Sequence, residues 1–325
     1  MPPAAFAAPA IPTSRLSARL HVVTGKGGTG KTTVAAALAL ALASDGRRTL
    51  LTEVEGRQGI AGLFDIEPLP YRELRLTTVA GGGEVRVLAV DAEEALLEYL
   101  DLFYKLGRAG RALRKLGAID FATTVAPGLR DVLLTGKVKE ATTRATEHGR
   151  VYDAVVLDAP PTGRIGRFLN VTAETARLAK VGPIKTQSEG VAAILRSPMT
   201  AIHIVTLLEE MPVQETADAV AELSALGMPV GWIIVNGVQP PLTSRKITQT
   251  ELRRGLAAAG LPTDRDLIAG LHSEAKAYLA RAGLQETLRA ELAQLGRPLI
   301  ELPFVEGGVD AAVLPEFADI LGHTR

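Results

Sequence analysis

Apolar positions along the chain fall into two alternating patterns. Short runs rich in β-branched residues occur at Leu20 to Val23, Thr49 to Thr52, Val85 to Val90, Ala154 to Leu157, Ala201 to Thr206, Gly231 to Val235 and Leu299 to Leu302. Longer stretches of helical character separate them, an alternation that predicts a mostly parallel sheet wrapped by helices. Runs such as IHIVTL (Ile202 to Leu207) and WIIVN (Trp232 to Asn236) are apolar on both faces, as strands covered from both sides should be. The expected fold is α/β, with a central sheet of about seven or eight strands.

The stretch Asp91 to Asp153 is far longer than one crossover helix requires. It predicts a helical sub-lobe within residues 92–150, built from Glu93 to Leu106 and Leu129 to Thr146 and split by TTVAPG at Thr123 to Gly128. Phe168 to Leu195 reads as a second helical stretch, so residues 168–198 join that lobe. Leu96, Leu97, Leu100, Phe103 and Leu106 recur at helical spacing, which suits either core packing or a groove for an apolar client. Residues 1–17 read as a disordered arm, because the prolines of MPPAAFAAPAIPT oppose a helix and no signal-peptide pattern is present. Residues 18–325 form the single expected domain. The longest uniformly apolar run, Val34 to Ala43, is about half of the ~20 residues that cross a bilayer, which predicts a cytoplasmic protein without a membrane span.

The strand Leu20 to Val23 runs into GKGGTGKTT, Gly25 to Thr33, and then into an Ala/Leu helix. This is a P-loop in its strand–loop–helix setting. The backbone N–H groups of Gly25, Gly27, Gly28, Thr29 and Gly30, with the helix N-terminus at Thr33, suit a cradle for phosphate oxygens. Lys31 should reach the β/γ-phosphates, and the Thr32 hydroxyl suits Mg2+. The fourth strand ends in LDAPPTGRIGRFL, where Asp158, an acid at the carboxyl end of an apolar strand, is placed to hold the same Mg2+ through water. ATP and Mg2+ are the cofactors these motifs call for.

Composition narrows the chemistry. Lys plus Arg, 36, equals Asp plus Glu, 36, so no global field attracts nucleic acid. Cysteine is absent, which removes disulfides, thiolate metal sites, iron–sulfur ligation and any Cys nucleophile. The acidic and apolar C-terminal stretch lacks the basic amphipathic pattern of a membrane-positioning helix.

The set GKGGTGKTT, EVEGRQGIA, DAPPTGRIGRFL and VTLLEEMPVQET resembles the deviant P-loop ATPases that drive arsenite pumps or target tail-anchored proteins. It is most similar to the actinobacterial branch often called anion-transporting ATPases. The resemblance spans Gly25 to about Asp310 and implies a P-loop NTPase fold. It also implies a dimer in which Lys26 reaches the partner's nucleotide, and a switch II in which Gly163 meets the γ-phosphate. In switch I it aligns Glu55 with an Asp that orients the attacking water; Glu53 and Glu55 also suit capping or solvating that loop. Asn236 and the loop from Glu301 to Asp310, which includes Pro303, fall on the adenine side. The implied partners are a second copy or a sister ATPase subunit, and a hydrophobic protein client. An arsenite-activated site is rejected for want of Cys, and the four methionines form no cluster of the kind that lines a tail-anchor groove. Two readings stay open: an ATPase in its own right, or a nucleotide-binding regulatory subunit with little hydrolysis of its own.

Overall fold

Each of the seven apolar runs becomes a strand, and one further strand joins them. In chain order the strands are β1 (Leu20–Gly25), β2 (Arg48–Glu53), β3 (Leu74–Thr78), β4 (Glu84–Ala89), β5 (Ala145–Thr146), β6 (Gly149–Arg150), β7 (Ala154–Asp158), β8 (Thr200–Thr206), β9 (Val230–Val238) and β10 (Leu299–Pro303). They belong to a computed structural model that describes residues 17–54, 56, 58–104, 127–171, 173, 182–240, 242 and 245–323. Eight strands form one sheet in the order β10-β9-β8-β1-β7-β2-β4-β3, and β5 pairs with β6 in a small separate hairpin. Every pairing in the large sheet is parallel except β3 with β4. The expected α/β P-loop architecture is therefore present.

Helices cover both faces. They are α1 (Lys31–Ala43), α2 (Gly59–Leu63), α3 (Ala92–Tyr104), α4 (Pro127–Thr143), α5 (Thr162–Leu169), α6 (Pro183–Leu195), α7 (Glu210–Ala225), α8 (Gln249–Ala258), α9 (Arg265–Gln294) and α10 (Leu314–Gly322). One core layer joins α1 and α10 to the sheet face carrying Val23, Leu51, Val156 and Val205. The other joins residues of α4, α5, α6 and α7 to the face carrying Val22, Leu50, Leu157 and Ile204. Alternate residues of one strand thus serve opposite layers, which is why the runs are apolar throughout. In α1 the residues Val34 to Ala39 and Ala41 to Ala43 are buried, because the helix is sandwiched between sheet and α10.

Three local expectations change. The run Phe168 to Leu195 is not one helix: α5 ends at Leu169, and α6 starts afresh at Pro183 behind Gly182, whose φ is 98°. Helix α4 stops at Thr143 rather than Thr146, and the chain turns into the β5–β6 hairpin. Strand β3 was missed because LRLTT is short and half-exposed at the sheet edge; the glycine turn from Gly81 to Gly83 that folds it against β4 was its available signal. Within the expected lobe, Ala95, Leu96 and Tyr99 of α3 pack on Leu133 of α4, while Leu102 is exposed. Residue Leu106 and the side chain of Phe103 lie outside the described residues, as does the arm at residues 1–16. Helix α9 has 30 residues, of which only Ile268, Leu288 and Leu292 are buried. No helix among the described residues is long and apolar enough to cross a membrane.

A buried imidazole chain links β1, β8 and β9. The Trp232 backbone N–H donates to His203 Nδ1 at 3.2 Å, so His203 carries its proton on Nε2 and donates to His21 Nδ1 at 3.1 Å. His21 Nε2 then donates to the Ala18 carbonyl at 3.0 Å. The two rings stack with 8° between planes, and Trp232 packs on His203 with 4.7 Å between ring centroids. Every donor along this line has an acceptor only while both rings are neutral. Burial, with a smaller push from the Arg47 charge, drives His21 from 6.5 to about 4. Between those two values the unfolded chain holds a proton that the folded chain refuses. Stability contributed by neutral His21 is therefore complete above pH 6.5 and is lost as pH falls toward 4, by about 3 kcal/mol in all. Urea unfolding followed by Trp232 emission should show this loss, with a shallower slope in His21→Gln.

Candidate active site

The central strands end side by side. In the registers β1–β7 and β7–β2, Val23, Asp158 and Glu53 fall level with one another, so three carboxyl ends open onto one place. The P-loop leaves β1 there and enters α1. Gly25 is required because its φ is 155° and any Cβ would run into the Val205 carbonyl oxygen of β8. Gly30, at φ 91°, leaves room for the Asn236 side-chain amide, which donates to the Thr29 carbonyl at 3.0 Å. Gly27 and Gly28 are exposed, with Gly28 at φ 86°, and Thr29 is buried with its hydroxyl on the Lys26 carbonyl at 2.9 Å. Lys31 Nζ also bonds the Lys26 carbonyl, at 3.2 Å. Thr33 sits half-buried in the first turn of α1.

Below the loop lies a cavity of about 330 Å³ lined by Gly28, Gly30, Lys31, Thr32, Glu53, Val54, Gly59, Asp158 and Ala159. The Thr32 hydroxyl donates to Asp158 Oδ2 at 2.6 Å, a short charge-assisted bond. Sequence reasoning assigned these two oxygens to the same cation, and the fold brings them together. Glu53, read as a capping or solvating group, is instead only 4% exposed. Its Oε2 accepts the Ile60 N–H at 3.2 Å, while its Oε1 is buried without a hydrogen-bond partner. Burial raises its carboxyl above the usual range, opposed by the backbone N–H groups of Ile60, Gly59 and Gln58. An oxygen-only donor set with an unsatisfied carboxylate oxygen fits a hard divalent cation such as Mg2+. No group of three or more His, Cys, Asp or Glu with metal-holding geometry occurs among the described residues. The signal for Glu53 was present: it ends an apolar strand, the same criterion that selected Asp158.

On the opposite face of the sheet, Lys26 is ion-paired with Glu215 of α7 at 2.5 Å. Glu215 also accepts the Thr162 hydroxyl at 2.8 Å, so a single carboxylate joins the P-loop to the start of α5. The Lys26 ammonium, and then the Thr162 hydroxyl, hold this carboxyl below its usual range. Glu215 lies within VTLLEEMPVQET but had been given no role; neither periodicity nor strand position marks it. Gly163, second residue of α5, is exposed, with nothing within 4 Å of where a Cβ would stand. Arg164 beside it approaches the buried Asp131 of α4 at 4.0 Å. Pro303 ends β10 next to Val238, two residues beyond Asn236 on the neighbouring β9, and leads to the exposed Phe304. Glu55 lies outside the described residues. A larger, mostly apolar cavity of about 840 Å³ between α1, β3 and α10 contains no P-loop residue.

The family model for anion-transporting ATPases matches residues 18–191 and 171–260. The chain belongs to this family. ATPase BagA of Mycobacterium tuberculosis is 54% identical over 95% of this chain and 94% of its own length. More distant relatives include a putative arsenical pump-driving ATPase of Aquifex aeolicus, 26% identical over 68% of this chain and 81% of its own. The arsenical pump-driving ATPase of Escherichia coli is 26% identical over 76% of this chain, but only 43% of that relative is covered. Membership supports ATPase activity and use of a nucleotide.

The tie from Asn236 to Thr29 is structural as it stands, and its loss leaves a carbonyl of a buried residue unpaired. Asn236→Ala is expected to lower unfolding free energy by about 1–3 kcal/mol in urea titration.

Proposed function

We propose that the protein is a Mg2+-dependent ATPase that works as a dimeric nucleotide switch. The observation that carries this reading is the Thr32–Asp158 hydrogen bond beneath an intact P-loop, since it places two oxygen donors level with the phosphate cradle. Lys31 exchanges the Lys26 carbonyl for the β- and γ-phosphate oxygens, while the loop N–H groups hold the β-phosphate. Thr32 and, through water, Asp158 would hold Mg2+, which would supply charge neutralisation on the phosphates. Gly163, exposed at the start of α5, gives the γ-phosphate a backbone N–H, so switch II distinguishes ATP from ADP. Asn236 and Pro303 border the adenine side.

Lys26 fits the switch through its present partner. Its ammonium rests on Glu215, and Glu215 also holds Thr162, one residue before Gly163. Movement of switch II toward a γ-phosphate pulls on the carboxylate that retains the lysine. Lys26 then exchanges Glu215 for the phosphates of a nucleotide on the second subunit. Helix α4 packs on α5 and meets it through the Arg164–Asp131 approach, and α3 and α6 pack on α4, which suits this group to carry the nucleotide state to a hydrophobic protein client. The protein is expected to act in the cytoplasm, without nucleic acid or stable membrane insertion. A soft-metal site for arsenicals built on thiolates needs cysteine, which this chain lacks.

A second reading is favoured by Glu55, whose extra methylene, relative to the Asp of the resembled pattern, displaces the group that orients the attacking water. Displacement on that scale can cost ~100-fold in rate. In that reading the chain is a nucleotide-binding regulatory subunit completed by a sister ATPase.

Steady-state Mg2+-ATP hydrolysis by the purified chain, beside Lys31→Ala, separates the two. Turnover that disappears in the mutant supports the autonomous enzyme; ATP binding through Lys31 without turnover supports the regulatory subunit. Light scattering should record a dimer with ATP, and a monomer with both ATP and ADP would sink the switch.

A further inference from the structure

Glu53 is a buried group that the reading above leaves unused. Strand alternation sets it on the same sheet face as Leu51, and the β2–β7 register places it level with Asp158. Both line the cavity that also contains Lys31 and Thr32. One carboxylate oxygen is satisfied by Ile60, and the other has no partner. On the α2 side the space is closed, since a Cβ at Gly59 would stand 3.3 Å from the Thr32 side chain.

An unpaired carboxylate oxygen in a buried wall opposes folding, and its retention points to a partner that arrives with ligand. A phosphate oxygen is excluded as that partner by like charge. Asp158 adds a second acid on the same wall, so the group facing Glu53 must be positive or must donate a hydrogen bond. Among the described residues the acids lining this cavity are Glu53 and Asp158, and no group of three or more that could hold a bare cation occurs. A hydrated cation meets both conditions, because its waters are polarised donors.

We propose that Glu53 Oε1 accepts a hydrogen bond from the water shell of the Mg2+ that accompanies the nucleotide, which makes Glu53 a positioning residue of the metal site. This rests on the nucleotide reading of the cavity. Glu53 thereby extends the oxygen wall begun by Thr32 and Asp158 to a third segment, the end of β2, directly before switch I. The metal's water shell becomes the link through which switch I senses an occupied site.

Glu53→Gln keeps an acceptor for the Ile60 N–H, removes the charge and replaces the second acceptor oxygen with an NH2 donor. Two readouts are expected to move in opposite directions. The thermal midpoint of the nucleotide-free, metal-free protein should rise by several degrees, because the buried unpaired charge is gone. Mn2+ affinity in the presence of ADP, measured by electron paramagnetic resonance, should fall by about 10–100-fold. Glu53→Asp, which retains the charge, should hold Mn2+ more tightly than Glu53→Gln. A purely structural Glu53 would give the reverse, a lower midpoint with Mn2+ affinity within about twofold of wild type, and would overturn the proposal. ADP binding by equilibrium dialysis, in wild type and Lys31→Ala, tests the underlying reading separately. Binding that depends on Lys31 sustains it whatever Glu53 does, and failure of the wild type to bind ADP removes both.

Discussion

The hydrogen bond from Thr32 to Asp158 joins two segments 126 residues apart, and the candidate site is organised around it. It can form only because β1 and β7 are neighbours in a parallel sheet, so that the loop after one and the last residue of the other share an edge. Each strand delivers a backbone or an acid to that edge, and the helices behind bury what remains. Gly25 and Gly30 let the loop lie against β8 and Asn236 without a side chain in the way. The burial of β1, β2, β7 and β8 on both faces thus serves the chemistry indirectly, by holding four strand ends in register.

Acidic groups divide across the two faces of the sheet. On the α1 side, Asp158 and Glu53 look into the cavity; on the α7 side, Glu215 holds Lys26 and Thr162. The P-loop passes between these sets. One set shares its cavity with Lys31 and the other retains Lys26, an arrangement that suits a loop with two lysines directed to opposite sides. Both unusual features, a buried acid with an unpaired oxygen and a carboxylate shared by loop and switch, sit where folding and ligand binding make opposing demands.

Much of this was legible from the chain. Seven of the eight large-sheet strands, the P-loop and Asp158 are carried by local patterns: short runs apolar on both faces, glycine spacing and an acid at a strand end. The edge strand β3 escaped because half its residues face solvent and provide no apolar run. The break within Phe168 to Leu195 does have a sequence signal, the helix-breaking dipeptide Gly182–Pro183 at which α6 starts, and an unbroken helix over this stretch passes over it. Glu215 could not be singled out, since its importance depends on a helix and a loop meeting 189 residues apart.

The sequence by itself determined the α/β class, the phosphate loop, an oxygen-based chemistry without thiolates, and family membership. Those follow from residue type and local spacing, which act over a few residues. Tertiary structure alone decided that Glu53 turns inward with one oxygen unpaired, that Lys26 rests on Glu215, and that Asn236 braces the loop. Each depends on strand order and on which sheet face a side chain occupies, and these are set by packing of the whole sheet rather than by neighbours in the chain.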